Sequence, residues 1–218
     1  MALDMQDYPS QPDISGKSDV PDQLRGKRIT PATPASTPPE TLRAGLTFRP
    51  WHSADAPAYQ QMLDDADLWR FMHEDYPDPM TLELAGELIA LSQEAGHHLV
   101  RAVLWQGQPV GQVRLQWASG PTPPASGEIS YWLARAHWGR GLAAPMVGLF
   151  ADQCLRAYPA LSRIEARIHQ ANTPSLRLVD RLGFELEGPV ADQPGWQRHV
   201  LRRGQGPDWA AIRLPRDI

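Results

Sequence analysis

The sequence predicts an α/β layer fold built on a mixed sheet. Two patterns carry that prediction. Segments alternating with period two, the mark of half-buried strands, are interleaved with segments of helical apolar spacing. Some strand segments follow one another across a tight turn, as at Gln106-Gly107-Gln108, whereas others are separated by a helix. Hairpin neighbours pair antiparallel and helix-linked neighbours can pair parallel, so one sheet must hold both kinds.

Residues 1–45 stand outside this pattern. They hold seven of the 22 prolines and no Trp or Phe. The run Thr30 to Pro39 carries too many prolines for a helix or a central strand. The segment is expected to be a disordered, solvated tail, with one domain over residues 46–218.

Leu46 to Trp51 reads as a first strand, stopped by Pro50. Ser53 is the expected cap of a helix to about Asp64, and a short helix from Asp67 to His73 follows. Thr81 should cap a third helix reaching about Ala95, with Leu82, Leu84, Ala85, Leu88, Ile89 and Leu91 as its apolar set and Gly96 as its stop. Leu99–Trp105 and Val110–Trp117 form the hairpin, with Val113, Leu115 and Trp117 on one face. Gly120 to Pro124 is a surface loop. Glu128 to Ala134 is the fourth strand, and a glycine turn then opens a helix to about Tyr158. Ser162 to His169 is the fifth strand, with Ile164, Ala166 and Ile168 on one face. Asn172 caps a helix ending at Leu182, and Gly183 takes the left-handed stop. Phe184–Glu187 and Gln197–Leu201 complete the sheet.

Composition narrows the function classes. A formal net charge of −4 gives no basic face for nucleic acid. No run approaches the ~18 apolar residues of a membrane span, and the first residues lack the basic and apolar regions of a secretory signal. The single cysteine, Cys154, falls in a helical apolar stripe and excludes an internal disulfide. Together these features lead to the expectation of a cytoplasmic protein without nucleic-acid or membrane partners, monomeric or homodimeric.

The most telling segment is Trp138-Gly139-Arg140-Gly141-Leu142-Ala143-Ala144. A strand that feeds a Gly-rich turn opening a helix binds phosphate, because the first helical N–H groups lack partners and the helix dipole places roughly half a positive charge there. Pro145 fits only the first helical turn, so it sets the helix start near Gly141–Leu142. The donors would be the amides of Gly139 through Ala144, and Arg140 can add a charge-assisted bond. A simple strand–helix connection that binds nothing is the alternative. The Walker pattern is absent. The turn formally matches a dinucleotide motif, which requires an acidic residue at the end of the next strand; Glu165 has roughly the right spacing but lies near that strand's start.

The segment also resembles the pyrophosphate loop Q/R-x-x-G-x-G/A of the GCN5-related N-acetyltransferase (GNAT) superfamily, within it the RimJ/RimL-like branch. It matches at Gly141 and Ala143, with Trp138 in the Gln/Arg position. A second block, Asn172-Thr173-Pro174-Ser175 and Asp180-Arg181-Leu182-Gly183-Phe184, stands about 30 residues on, and Pro207-Asp208-Trp209 resembles the family's ending. The likeness runs from about Leu46 to Trp209. It implies a mixed, mostly antiparallel sheet of six to seven strands with helices on both faces, and a reaction in which a primary amine attacks the thioester of acetyl-CoA. The main chain around Trp132, Leu133 and Ala134 would pair with the pantetheine arm, and Asn172 would meet its amide or serve only as a helix cap.

The same resemblance implies Glu128 as the base, in the branch's acidic position; His169, at the end of the fifth strand, is a second candidate. Many members carry a Tyr in the helix after the Asn. That position here is Val179, so the acid role falls to Ser175, one turn after Asn172, as partner of the thiol sulfur. The empty Tyr position also fits a non-catalytic acyl-CoA-binding module. His73, Glu74, Asp75 and Tyr76 lie where the family shapes its acceptor pocket, while Trp69 and Phe71 are expected in the core. Neither His73-Glu74-Asp75 nor His97-His98 has zinc-site spacing, so no metal is expected. The acceptor is a protein N-terminus or a small-molecule amine.

Overall fold

The computed structural model describes residues 45–72, 74–94, 96–120 and 125–207. The proline-rich segment up to residue 44, His73, Ala95, Pro121–Pro124 and the Asp208-Trp209 pair lie outside the described residues.

Seven strands form one sheet: β1 Leu46–Arg49, β2 His98–Trp105, β3 Gln108–Gln116, β4 Ser126–Leu133, β5 Arg163–His169, β6 Glu185–Pro189 and β7 Trp196–Arg202, in the order β1-β2-β3-β4-β5-β7-β6. Every pairing is antiparallel except β4 with β5. Among the described residues, five α-helices accompany them: α1 Ala56–Leu63, α2 Ala66–Trp69, α3 Leu82–Ser92, α4 Ala143–Ala157 and α5 Thr173–Arg181.

The β2–β3 hairpin turns on Gln106 (φ 51°) and Gly107 (φ 81°). Two positive φ values in a two-residue loop match the right-handed twist of the flanking strands. Alternation then distributes side chains to two cores. Val113, Leu115, Ile129, Leu133, Ile164, Ala166 and Ile168 bury one face beneath α4 and α5. Val100, Ala102 and Leu104 bury the other beneath α1 and α3, with Trp51, Tyr59 and Met80. Helices therefore cover both faces, as expected.

Several boundaries shift for identifiable reasons. Ser53 does not cap α1. A 3₁₀ turn over Ser53–Asp55 intervenes, because the Asp55 carboxylate accepts from the His52 N–H at 2.8 Å and from the Arg49 guanidinium at 2.6 and 2.9 Å. Helix α2 is capped by Asp65 and ends at Trp69. Thr81 caps α3 by accepting from the Leu84 N–H at 3.1 Å. That helix stops at Ser92, whose hydroxyl donates back to the Ile89 carbonyl at 2.6 Å, while the Gln93 side chain turns away to the Trp51 carbonyl. Leu82 and Leu91, assigned to its apolar set, are exposed. Cys154 is buried, and burial pushes its thiol up to about 12.

Candidate active site

The parallel pair β4–β5 holds for three rungs only: Ser126 with Arg163, Gly127 with Ile164 and Glu128 with Glu165. Above Glu128, β4 pairs with β3 alone and β5 with β7 alone. The sheet thus opens into a wedge. Ala134 donates its N–H to the Val110 carbonyl at 2.9 Å. By the alternation of a strand, Trp132 also turns its main-chain groups toward β3, whereas Tyr131 and Leu133 turn theirs into the wedge. There the Leu133 carbonyl accepts the Trp138 indole N–H at 2.6 Å. Of the three residues assigned to the pantetheine arm, Leu133 therefore faces the opening and Trp132 and Ala134 face β3.

The glycine turn lies at the wide end of the wedge. Gly139 (φ 71°) and Gly141 (φ 76°) are both left-handed, and a Cβ at either would meet no atom within 4 Å. They are glycines because of their backbone angle rather than crowding. Helix α4 begins at Ala143, one residue beyond the predicted start, with Leu142 as its cap and Pro145 in the first turn. Among the described residues, the N–H groups of Gly139, Arg140, Gly141, Leu142, Ala143 and Ala144 donate to no main-chain carbonyl. Such a row of free donors at a helix start suits a diphosphate group. Trp138, exposed, lies 5.4 Å from the Arg135 guanidinium, which forks to Asp65 and Asp67 beside α2. This pairing ties the helical cap to the loop.

The two faces of the wedge carry different side chains. On the α4/α5 face, Tyr131 projects toward Ser175 in the first turn of α5. Asn172 caps that turn by accepting from the Ser175 N–H at 3.3 Å. Val179 is fully buried in the core. On the opposite face stand Glu128, Ser130 and Trp132 of β4 and Glu165, Arg167 and His169 of β5. Glu128 pairs with Arg167 at 2.9 Å. Trp132 stacks on Trp51 at 6.2 Å and meets Tyr59 edge-on. His169 accepts from the Ala171 N–H at 3.2 Å and lies between Phe71 and Trp196. Phe71 was expected in the core. It instead stacks on His169, at 5.8 Å between ring centres, so it reaches from the α2 segment to β5; Trp69 does join the core. Tyr76 donates to Asp64 at 2.5 Å, and Glu74 and Asp75 are exposed.

Glu165 cannot serve a dinucleotide. It leaves β5 on the face away from α4, where Arg163, Arg198 and the Ser126 hydroxyl occupy its carboxylate. Tyr131, whose main chain faces the opening, packs its ring against the core beneath α4 and α5, beside Ser175.

A family model described as the acetyltransferase (GNAT) domain matches residues 45–185. The chain belongs to that family. A curated relative, an uncharacterized N-acetyltransferase p20 from Bacillus licheniformis, is 42% identical over 65 residues, which cover 30% of this chain and 36% of the relative. The match thus spans about a third of that protein's length. Solved structures show the same fold. Mycobacterium smegmatis RimJ in complex with CoA-disulfide superposes with a TM-score of 0.63 at 22% identity, covering 74% of this chain and 83% of RimJ. Vibrio cholerae spermidine N-acetyltransferase in complex with CoA and spermine gives 0.62 at 18%, covering 74% and 97%.

Proposed function

We propose that this GNAT chain is an acetyl-CoA-dependent N-acetyltransferase of the RimJ/RimL-like kind, passing an acetyl group to a primary amine by direct attack in a ternary complex. The observation that carries the proposal is the wedge between β4 and β5 beside the unpaired amides of the glycine turn. The turn would hold the diphosphate, and the open edge of β4 would pair with the amide-bearing arm as an added strand does. The thioester then lies in the plane of the sheet, at the level of Tyr131 and Leu133.

The amine approaches from the face of Glu128, and the thiol departs toward α5. Glu128 accepts the proton as the C–N bond forms, with Arg167 holding the carboxylate in place. Ser175 contacts the sulfur. Energetics favour an α-amine. Freeing an amine of pKa about 8 at pH 7 costs about 1.4 kcal/mol, against about 4.6 for a lysine near 10.4. The acceptor is a protein N-terminus or a small-molecule amine. The RimJ likeness supports the first and the spermine complex of the Vibrio relative the second. A cytoplasmic setting belongs to the same proposal.

Thiol release from acetyl-CoA, screened against N-terminal peptides, polyamines, amino acids and aminoglycosides, tests this function. Turnover confined to Ala- or Ser-starting peptides identifies a terminus-modifying enzyme, and turnover confined to polyamines identifies a small-molecule enzyme. Tight CoA binding with no release under any amine supports the non-catalytic module instead, which the aliphatic Val179 favours.

A further inference from the structure

We infer that Arg114 selects the acceptor, its guanidinium taking a carboxylate carried a few bonds from the attacking amine. The acceptor is then an amino-carboxylate: a free amino acid, or a peptide opening on Asp or Glu. The inference rests on the acetyl transfer proposed above and names its substrate class.

Strand register puts Arg49, Arg114, Arg163, Arg167, Arg198 and Arg202 on the face of the sheet that carries Glu128. All but Arg114 meet a carboxylate. Arg49 holds Asp55 at 2.6 Å, Arg163 and Arg198 share Glu165 at 2.9 and 3.2 Å, Arg167 holds Glu128 at 2.9 Å, and Arg202 holds Glu185 at 3.2 Å. Arg114 is half-buried and meets no carboxylate among the described residues. Its Nε donates to the Ser130 hydroxyl at 3.0 Å, and its two terminal nitrogens donate to no described residue. A partly desolvated cation without a counter-ion is unfavourable until an anion completes it. The planar fork matches a carboxylate with two parallel bonds.

The place of this fork decides what it can read. The bond to Ser130 draws the guanidinium off β3 and over β4. Ser130 lies two residues beyond Glu128, where β5 has already parted from β4. Along the strand that is about 6.8 Å. A base at Glu128 and an anion receptor so near it suit an amine and a carboxylate on one small framework. The neighbouring groups leave the fork free for a ligand. The Gln112 amide oxygen, next along β3 on this face, already accepts from the Trp51 indole at 2.8 Å. Burial pushes the Tyr59 phenol up, Arg114 draws it down, and the exposed Glu74 acts against Arg114. Trp132 and Trp51, stacked beside Tyr59, complete an aromatic wall. A polyamine would bring like charge to the fork, which disfavours it.

Matched acceptors test the inference. Free amino acids are compared with their α-carboxamides, and tripeptide amides opening on Asp or Glu with those opening on Asn or Gln. Each pair differs by one carboxylate, and the set that responds identifies its source. An α-carboxamide also makes the amine less basic, so intrinsic reactivity near neutral pH favours the uncharged member and cannot imitate the expected preference. Wild type should favour the carboxylate member by about tenfold to a hundredfold in kcat/KM, the range of a hydrogen bond to a charged group. Arg114→Gln should bring that ratio to about one, through KM for the acceptor, with KM for acetyl-CoA within about twofold. Arg114→Lys, which keeps the charge but not the fork, should restore part of the ratio. Arg114→Met replaces Arg114→Gln should that variant misfold. Calorimetry of the same acceptors on the CoA-loaded protein reads the preference without turnover. A wild type that treats both members alike, or turns over polyamines best, overturns the inference and leaves acetyl transfer standing. An Arg114→Gln variant that keeps the ratio does the same. Preferential binding of the carboxylate member with no thiol released from acetyl-CoA overturns the transfer function, and the Arg114 contact survives. No preference in either binding or turnover overturns the inference.

Discussion

Glu128 and Arg167 leave adjacent strands on the same face, 2.9 Å apart at the point where those strands part. The ion pair holds the proposed base in one orientation, and removing its charge would leave an arginine uncompensated. Glu128→Gln should therefore lower turnover by about 100-fold, within the range of general-base catalysis, with little change in CoA affinity by calorimetry. Asp55 carries a different test. The Arg49 guanidinium, reinforced by the His52 N–H, holds its carboxyl below the usual carboxylate range. Its stabilisation is complete above the unfolded value of about 3.9 and is lost as pH falls through the lower folded value. Melting curves below about pH 4 should show a steeper loss for wild type than for Asp55→Asn. At this scale the sequence revealed less. Glu128 and Ser175 are proposed from motif resemblance, and the Arg167 partner of Glu128 was not legible. It depends on which residues of separate strands share a face, and that is set by register.

Among the elements, the glycine turn is the most exacting. Gly141 holds φ 76°, and open space surrounds the position where a Cβ would sit. Gly141→Val would thus strain the backbone by about 1–2 kcal/mol without a clash. CoA affinity should drop about tenfold by calorimetry, the equivalent of that strain, as the amides lose alignment. The α5 cap behaves differently. Asn172→Ala removes one side-chain acceptor worth about 1 kcal/mol, so melting should fall by about 2–4 °C for a chain of this size. The beginnings of α3, α4 and α5 could be anticipated, because Thr81, Pro145 and Asn172 act locally. The ends of α2 and α3 could not. Ser92 and Gln93 stop α3 through bonds to Ile89 and Trp51, and the second of these is remote in sequence.

For the molecule as a whole, Arg135 is the joint between two layers. Its fork to Asp65 and Asp67 fastens the α1–α3 side to the loop that follows β4. Arg135→Ala should speed amide hydrogen exchange over residues 64–72 and raise KM for the amine, while the β2–β3 hairpin exchanges as before. Layer order and the mixed sheet were readable from periodicity, since Val113, Leu115, Ile164, Ala166 and Ile168 alternate cleanly. The early divergence of β4 and β5 was not, because both strands continue their alternation past the last shared rung.

That divergence leaves naked peptide groups in the middle of a sheet, a place where proteins normally have none. An unprotected strand margin invites pairing with other chains, so an acyl donor seated along β4 as proposed would double as a protective strip. At a hundredfold excess over its Kd it would stabilise the fold by about 2.7 kcal/mol. Resistance to proteolysis and to aggregation should then rise and fall with the cell's supply of acyl donor, tying the lifetime of the catalyst to the abundance of what it consumes.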